Sequence, residues 1–389
     1  MFYILNKFKK NMNDVYQDSL KLHEKYRGKL AIVSKVPLLT KDDLSLAYTP
    51  GVAEVCREIF KDKSRAKTLT LKGNTVAVIT DGSAILGLGN LGAAAALPVM
   101  EGKCILFKEF AGVDAFPLCL DTQDEEEIIR TVKLLAPVFG GINLEDISAP
   151  RCFKIEDRLR AELAIPVMHD DQHGTATVVL AGLINAIKVR GSVKEEVKIV
   201  VSGAGAAGVA VTKLLLSYGF KNIIIVDRQG AVYAGRDGLN PIKEELANMT
   251  NPANITGKLE EVIRGADIFI GVSAPGVLTA AMVKSMKQRP IVFALANPVP
   301  EIMPAEALAS GAFIVASGRS DYPNQINNVL VFPGVFRGAL DNGVKQITDL
   351  MLIRAAENLA GLVSVPTPGE ILPSPLNREV SKTVAAAIY

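Results

Sequence analysis

The chain has 389 residues, more than one hydrophobic core usually serves, so two domains are expected, each large enough to bury its own interior. Lys and Arg number 43 against 41 Asp and Glu, and a net charge of +2 gives no field for nucleic acid or an anionic membrane, which leaves a small molecule as the expected partner. Apolar residues at 49%, 32 glycines and no tryptophan suit an α/β protein with buried Val/Ile strands, and four scattered cysteines without a C-x-x-C pair fit reduced thiols in the cytoplasm.

The opening MFYILNKFKK lacks the apolar core and cleavage site of a secretory signal, and a second methionine follows at position 12. Residues 1–13 are therefore expected to be a disordered tail, with organelle targeting by the first 11 as the alternative. No apolar run reaches the roughly 18 residues that a membrane span needs. Residues 15–26 carry a helical pattern, and residues 35–60 read as a proline-rich connection. TVAVITDGS then reads as a buried strand, followed by a glycine-rich loop, the helix GAAAALPVMEG, and two short strands, KCILFKEF and AFPLCLD. DEEEIIRTVKLLAPVF is an amphipathic helix with acids at its positive end.

Beyond GTATVVLAGLINAIKVRG the chain alternates strand and helix regularly, from VKIVVSG to FIVASG, which predicts βαβ units and a parallel sheet covered on both faces. The expected fold is α/β in two domains: an N-terminal α/β domain over 14–175, and a Rossmann-like doubly wound parallel sheet over 176–389. QITDLMLIRAAENLAGLV is a further helix, a C-terminal helix is expected to pack back on the first domain, and the last twenty residues read as proline-rich loop.

G-x-G-x-x-G occurs twice. The second match, GAGAAG (Gly203, Ala204, Gly205, Ala206, Ala207, Gly208), follows a strand directly, opens a helix, and is answered 19 residues after its last glycine by Asp227 at the end of NIIIVD. That is the context for a dinucleotide: a tight turn, a backbone bare enough for pyrophosphate, a helix N-terminus, and a carboxylate for ribose hydroxyls. Asp227 favours NAD, whereas Arg228 beside it offers a partner for the 2′-phosphate of NADP. The first match, at Gly87, Gly89 and Gly92, is separated from its strand by DGSAIL and reads as a loop that allows close packing or ligand approach.

Two acid pairs remain, Glu145 with Asp146 and Asp170 with Asp171, each led in by apolar residues. Either pair alone is an ordinary solvated loop. Together, at two buried strand ends, four acids would need a cation, and hard oxygen ligands suit Mg²⁺ or Mn²⁺. His169 and His173 have the spacing of a helical zinc motif but Asp where its glutamate belongs. The flanking Pro166 and Gly174 also leave too little helix for both rings to face one ion. The histidines are expected to support the aspartates instead.

Several stretches together resemble the malic enzyme family in its short bacterial form: AYTPGVA, VAVITDGSAILGLGNLG, PVMEGKCILFKEFAGVDAFP, GGINLEDISAP, HDDQHGTA, ANPVPE and INNVLVFPG. The resemblance implies oxidative decarboxylation of L-malate to pyruvate and CO₂ with NAD or NADP as hydride acceptor and a divalent metal held by Glu145, Asp146 and Asp171. It implies Lys103 as the base for the malate hydroxyl and Tyr48 as the acid that protonates the enol carbon; an ammonium among carboxylates keeps its proton, so Lys103 must be partly desolvated, or relayed through Asp170, to act near neutral pH. Asn297, Asn327 and Asn328 would hold substrate carboxylate or the nicotinamide end, and the enzyme would be a homodimer or higher. Longer relatives carry an arginine where this chain has Ala84, which leaves open how malate's distal carboxylate is held. Asn90 also replaces a common Asp. The alternatives are a malolactic enzyme, which turns malate into lactate with bound NAD, and a dinucleotide-binding regulatory protein without catalysis.

Overall fold

A computed structural model of the chain describes residues 12–85 and 87–389. The first sheet holds β1 (Thr75–Thr80), β2 (Asp114–Cys119), β3 (Gly141–Leu144) and β4 (Val167–His169), all parallel, in the order β2-β1-β3-β4. The second holds β5 (Lys198–Ser202), β6 (Asn222–Asp227), β7 (Gly230–Ala231), β8 (Ile268–Gly271), β9 (Ile291–Ala294) and β10 (Ile314–Ser317), in the order β10-β9-β8-β5-β6-β7. Only the short β7 runs antiparallel. Both orders reverse direction once, between β1 and β3 and between β5 and β8. In such sheets ligands bind outside the carboxyl ends at that reversal.

The sequence places the first crossover helix too short. Helix Ala93–Ala111 runs straight through KCILFKEF, and Gly112, at φ 64°, ends it in the left-handed conformation. Met100, Lys103, Cys104 and Phe107 are among its buried residues, a spacing of three, one and three that belongs to a helix, not a strand. Residues 35–60 are likewise not only connection. Thr40 and Asp43 form a reciprocal capping box that starts helix Lys41–Ala47, and helix Val52–Lys61 follows. Helix Met12–Tyr26 begins inside the expected tail, and residues 1–11 lie outside the described residues. Helix Glu379–Ala385 interrupts the expected C-terminal loop.

Gly174 does not break the HDDQHG segment, because helix Asp170–Arg190 runs through it for 21 residues. A Cβ at position 174 would stand 1.9 Å from Asp170 Oδ1, so glycine is required there for room. This helix also crosses residue 176, so the passage between the sheets is one continuous buried rod, packed on helices Ala206–Tyr218 and Asp349–Gly361. Helices Phe332–Asp341 and Glu379–Ala385 return to pack on Ala93–Ala111. The main core accordingly joins Val76 and Phe107 of the first region to Val201 and Phe332 of the second.

The three helices of residues 12–61 stand apart from that core. Ile32, Leu39 and Phe60 are each close to 90% exposed. Among the described residues no helix is long and apolar enough to cross a membrane.

Candidate active site

Glu145 and Asp146 follow β3, and Asp170 and Asp171 follow β4, so the parallel pairing of β3 with β4 sets both acid pairs side by side. Asp146 takes φ 52°, a left-handed conformation uncommon outside glycine, and its backbone N–H donates to Asp171 Oδ2 at 3.0 Å. Asp170 and Asp171 occupy the first turn of their helix, whose positive end favours carboxylates. One oxygen from each of Glu145, Asp146 and Asp171 lies within 4.8 Å of the others.

Lys103 closes the group from above. It is 7% exposed, with Nζ 2.6 Å from Asp170 Oδ2, 2.9 Å from Glu145 Oε1 and 4.2 Å from the centre of the Phe332 ring. Burial alone would favour a neutral amine, but Asp170 and Glu145 outweigh it and hold the ammonium's pKa above its ordinary value. Glu145 is driven well above the usual carboxylate range by burial, resisted by Lys103 and reinforced by Asp171, Asp170 and Asp146. Four carboxylates share one ammonium here. A hard divalent cation among Glu145, Asp146 and Asp171 would offset that repulsion, and three carboxylate oxygens with Asp171 open to solvent are the donor set Mg²⁺ or Mn²⁺ prefers.

The histidines do not join in. His169 is fully buried with Nδ1 3.9 Å from Asp171, and His173 Nε2 lies 3.0 Å from Glu156 Oε1. Glu156 also accepts from the His169 backbone N–H and from Gln172, and so clamps the start of the aspartate helix. Sequence reasoning missed Glu156, although a signal existed: it stands with Cys152, Ile155 and Leu159 on the buried stripe of helix Arg151–Glu162. A second missed network ties the loops together. Arg151 bonds Asp81, Ser83 and Ser148, while Ala84 N–H donates to Asp146 O at 2.9 Å. Asn90 pairs with Gln123. Lys108, a rival to Lys103 on composition, is a surface residue bonded to Asp114.

Asn328 packs against the first turn of the aspartate helix, its Cβ 3.3 Å from where a Cβ on Gly174 would lie. Asn327 spends its side-chain oxygen on the Val329 backbone N–H. Asn297 meets both the loop at Gly87 and the start of the next loop at Gly318, each of which would collide with it if it carried a Cβ. Tyr48 is not brought to the cluster. It caps helix Lys41–Ala47, 67% exposed, on the outer arm.

The dinucleotide loop has the geometry its spacing implies. Gly203 follows β5 at φ 117°, Gly205 precedes helix Ala206–Tyr218, and Ala206, Ala207 and Gly208 form its first turn. A Cβ on Gly208 would come within 1.8 Å of Gly203 O. Ala204 and Gly205 face Asn240 and Lys243 across a cavity of about 200 Å³. Asp227 ends β6, where Arg236 holds it with two bonds at 3.0 and 2.6 Å and Lys243 adds a third at 2.6 Å. Burial pushes this carboxyl up, but the bonds from Arg236 and Lys243 hold it far below the usual range. Arg228 is exposed. In the first glycine loop, Gly87, Gly89 and Gly92 all take positive φ, so there the glycines serve backbone shape.

Residues 27–160 match the model of the malic enzyme N-terminal domain, and residues 172–389 that of the malic enzyme NAD-binding domain. The chain belongs to the malic enzyme family. It is 58% identical to an NAD-dependent malic enzyme of Geobacillus stearothermophilus over 93% of this chain and 76% of that protein. It is 54% identical to a bifunctional malic/malolactic enzyme of Bacillus subtilis over 96% of this chain and 92% of that one. Other relatives are named NADP-dependent malic enzymes. The crystal structure of an NAD-dependent malic enzyme from Thermotoga maritima superposes with a TM-score of 0.92 at 49% identity, covering 95% of this chain and 98% of that one.

Proposed function

We propose that this protein oxidises L-malate with NAD or NADP and decarboxylates the product to pyruvate and CO₂, using Mg²⁺ or Mn²⁺ bound by Glu145, Asp146 and Asp171. The observation that carries the reading is the buried Lys103 ammonium set between Asp170 and Glu145 at the edge of a three-carboxylate cation site. A cation held by Glu145, Asp146 and Asp171 would polarise the oxygen on the reacting carbon as a Lewis acid, and a dinucleotide at the Gly203–Gly208 loop would accept the hydride.

The chain's own residues handle protons and orientation. Lys103 gives its ammonium proton to Asp170, its partner at 2.6 Å, and then as the free amine takes the malate hydroxyl proton. Glu145, where it ligates the cation, would no longer help to hold the Lys103 proton. Loss of CO₂ leaves an enolate, and Tyr48 protonates its carbon to give pyruvate. Asn297, Asn327 and Asn328 orient substrate carboxylate and the nicotinamide end. Phe332 and the apolar floor beneath Lys103 keep bulk water from the proton transfer.

NAD is the preferred cofactor in this reading, because Asp227 at the end of β6 repels a 2′-phosphate. Arg236 and Lys243 balance that charge, so NADP is tolerated. The exposed apolar arm supports a homodimer, with a second copy of the chain covering Ile32, Leu39 and Phe60. Tyr48 lies on this arm, so assembly also decides which Lys103 it meets. Free cysteines support a cytoplasmic setting.

Absorbance at 340 nm must rise with malate, Mn²⁺ and NAD. The relative named as a bifunctional malic/malolactic enzyme supports a second reading, malate to lactate with retained NAD. That reading requires lactate to accumulate with no net rise at 340 nm.

A further inference from the structure

Glu301 is a fully buried acid that no step of the reaction above uses. Its two carboxylate oxygens each accept a backbone N–H: Oε1 from Ser273 at 2.8 Å and Oε2 from Ala296 at 3.0 Å. Ser273 belongs to the loop after β8 and Ala296 to the loop after β9, so one side chain ties together the chain segments leaving two neighbouring strands. Room is kept for it. A Cβ on Gly271, the last residue of β8, would stand 2.4 Å from Glu301 Cδ. The backbone repeats the tie, because the Leu278 N–H donates to Glu301 O at 3.1 Å. Burial pushes the carboxyl above its ordinary range, and the N–H bonds from Ser273 and Ala296 oppose that push.

The tied loops border both sites. Ser273 Oγ lies 3.1 Å from Ser202 Oγ at the end of β5, and a Cβ on Gly203 would meet Val272 O at 2.7 Å, so the loop after β8 packs on the dinucleotide loop. Ala296 leads into Asn297, whose carbonyl abuts Gly87 of the loop after β1, and Ala84 of that same loop bonds Asp146 of the acid cluster. The strand order β9-β8-β5-β6 gives a dinucleotide its direction. With a ribose at Asp227 after β6 and pyrophosphate at Gly203–Gly208 after β5, its far end runs past β8 and β9, over the backbone that Glu301 holds.

We infer that Glu301 is a positioning residue for the nicotinamide end of the cofactor, bracing the loops after β8 and β9 at the spacing that hydride transfer needs. It acts through Ser273 and Ala296, and the inference rests on the reading of Gly203–Gly208 as the dinucleotide site. A carboxylate suits the task because both oxygens must accept. A glutamine turns an NH₂ group toward one of the two N–H donors and opens that side of the brace.

The test compares two ligands of the full-length protein: NADH, titrated by its fluorescence, and ADP-ribose, which lacks the nicotinamide ring, titrated by displacement of NADH. In Glu301→Gln the Kd of NADH rises about fivefold or more, that of ADP-ribose stays within about twofold, and kcat for malate oxidation falls about tenfold or more. Glu301→Asp keeps both acceptors on a shorter stem and gives intermediate values. Equal rises in the two Kd values overturn the inference, since a loosened domain would weaken both ligands alike, and so do two unchanged Kd values or an unchanged kcat. Should Glu301→Gln fail to fold, Glu301→Asp decides: a ratio of the two Kd values equal to that of wild type overturns the brace. Wild-type protein that binds neither ligand would sink the dinucleotide reading itself. Wild-type protein that binds both without oxidising malate would sink the malate reading and leave the Kd comparison in force.

Discussion

The two sheets carry sites of opposite character. At the carboxyl ends of β5 and β6 the charge is answered within the chain: Gly208 lets the Gly203 carbonyl come close, and Asp227 is held by Arg236 and Lys243. At the carboxyl ends of β3 and β4 the balance fails: Glu145 is forced toward its protonated form, and one ammonium serves several acids. A site satisfied in itself is a preformed cradle, whereas a site in electrostatic deficit is waiting for a guest of the missing charge. Disturbing the first should therefore cost binding and fold, and disturbing the second should cost chemistry and metal while sparing the cofactor.

The largest effect is expected at Lys103. Lys103→Ala should lower turnover by about a thousandfold or more while NADH fluorescence still reports normal dinucleotide binding. Turnover close to wild type would remove Lys103 from the reaction. Next comes Asp171→Asn, expected to raise the Mn²⁺ concentration for half-maximal activity by about 100-fold, with the KM for NAD little changed. A normal Mn²⁺ response would move the cation elsewhere.

The converse break is at Gly208, where a Cβ would stand 1.8 Å from Gly203 O. Gly208→Ala should cost about 1–3 kcal/mol of stability by urea melts and weaken NAD binding sharply, yet leave Mn²⁺ binding in place. Loss of both ligands together would erase the distinction between the two sites.

The smallest effect is a pH dependence at Asp227. Its folded pKa is depressed, so its contribution to stability is present above the unfolded value of about 3.9 and lost as pH falls through the lower folded value. Asp227→Asn should thus melt below wild type at neutral pH by a gap that closes in strong acid. A gap independent of pH would mean that packing, not the ion pairs with Arg236 and Lys243, is what the variant lost.

Sequence reading reached the second region best because its signals are local: strand, glycines, helix and Asp227 lie within 30 residues of one another. The acid pairs were legible as pairs, but their convergence depends on β3 lying beside β4, which no local pattern reveals. KCILFKEF failed as a strand because its apolar residues suit either period, and only the burial of Lys103, Cys104 and Phe107 on one face decides. Gly174 failed as a breaker because its role is to make room for Asp170. Glu156 was visible only as an acid on an apolar stripe. Tyr48 was named by resemblance alone, and the single chain leaves it exposed on the arm.

In the proposed mechanism Glu145, Asp146 and Asp171 hold one divalent cation beside Lys103. Mn²⁺ binding to the purified protein, followed by the electron paramagnetic resonance of the free ion, tests it without any turnover. One tight site per chain is expected in the wild type, and its loss in Asp171→Asn. Equal binding by both proteins would contradict it.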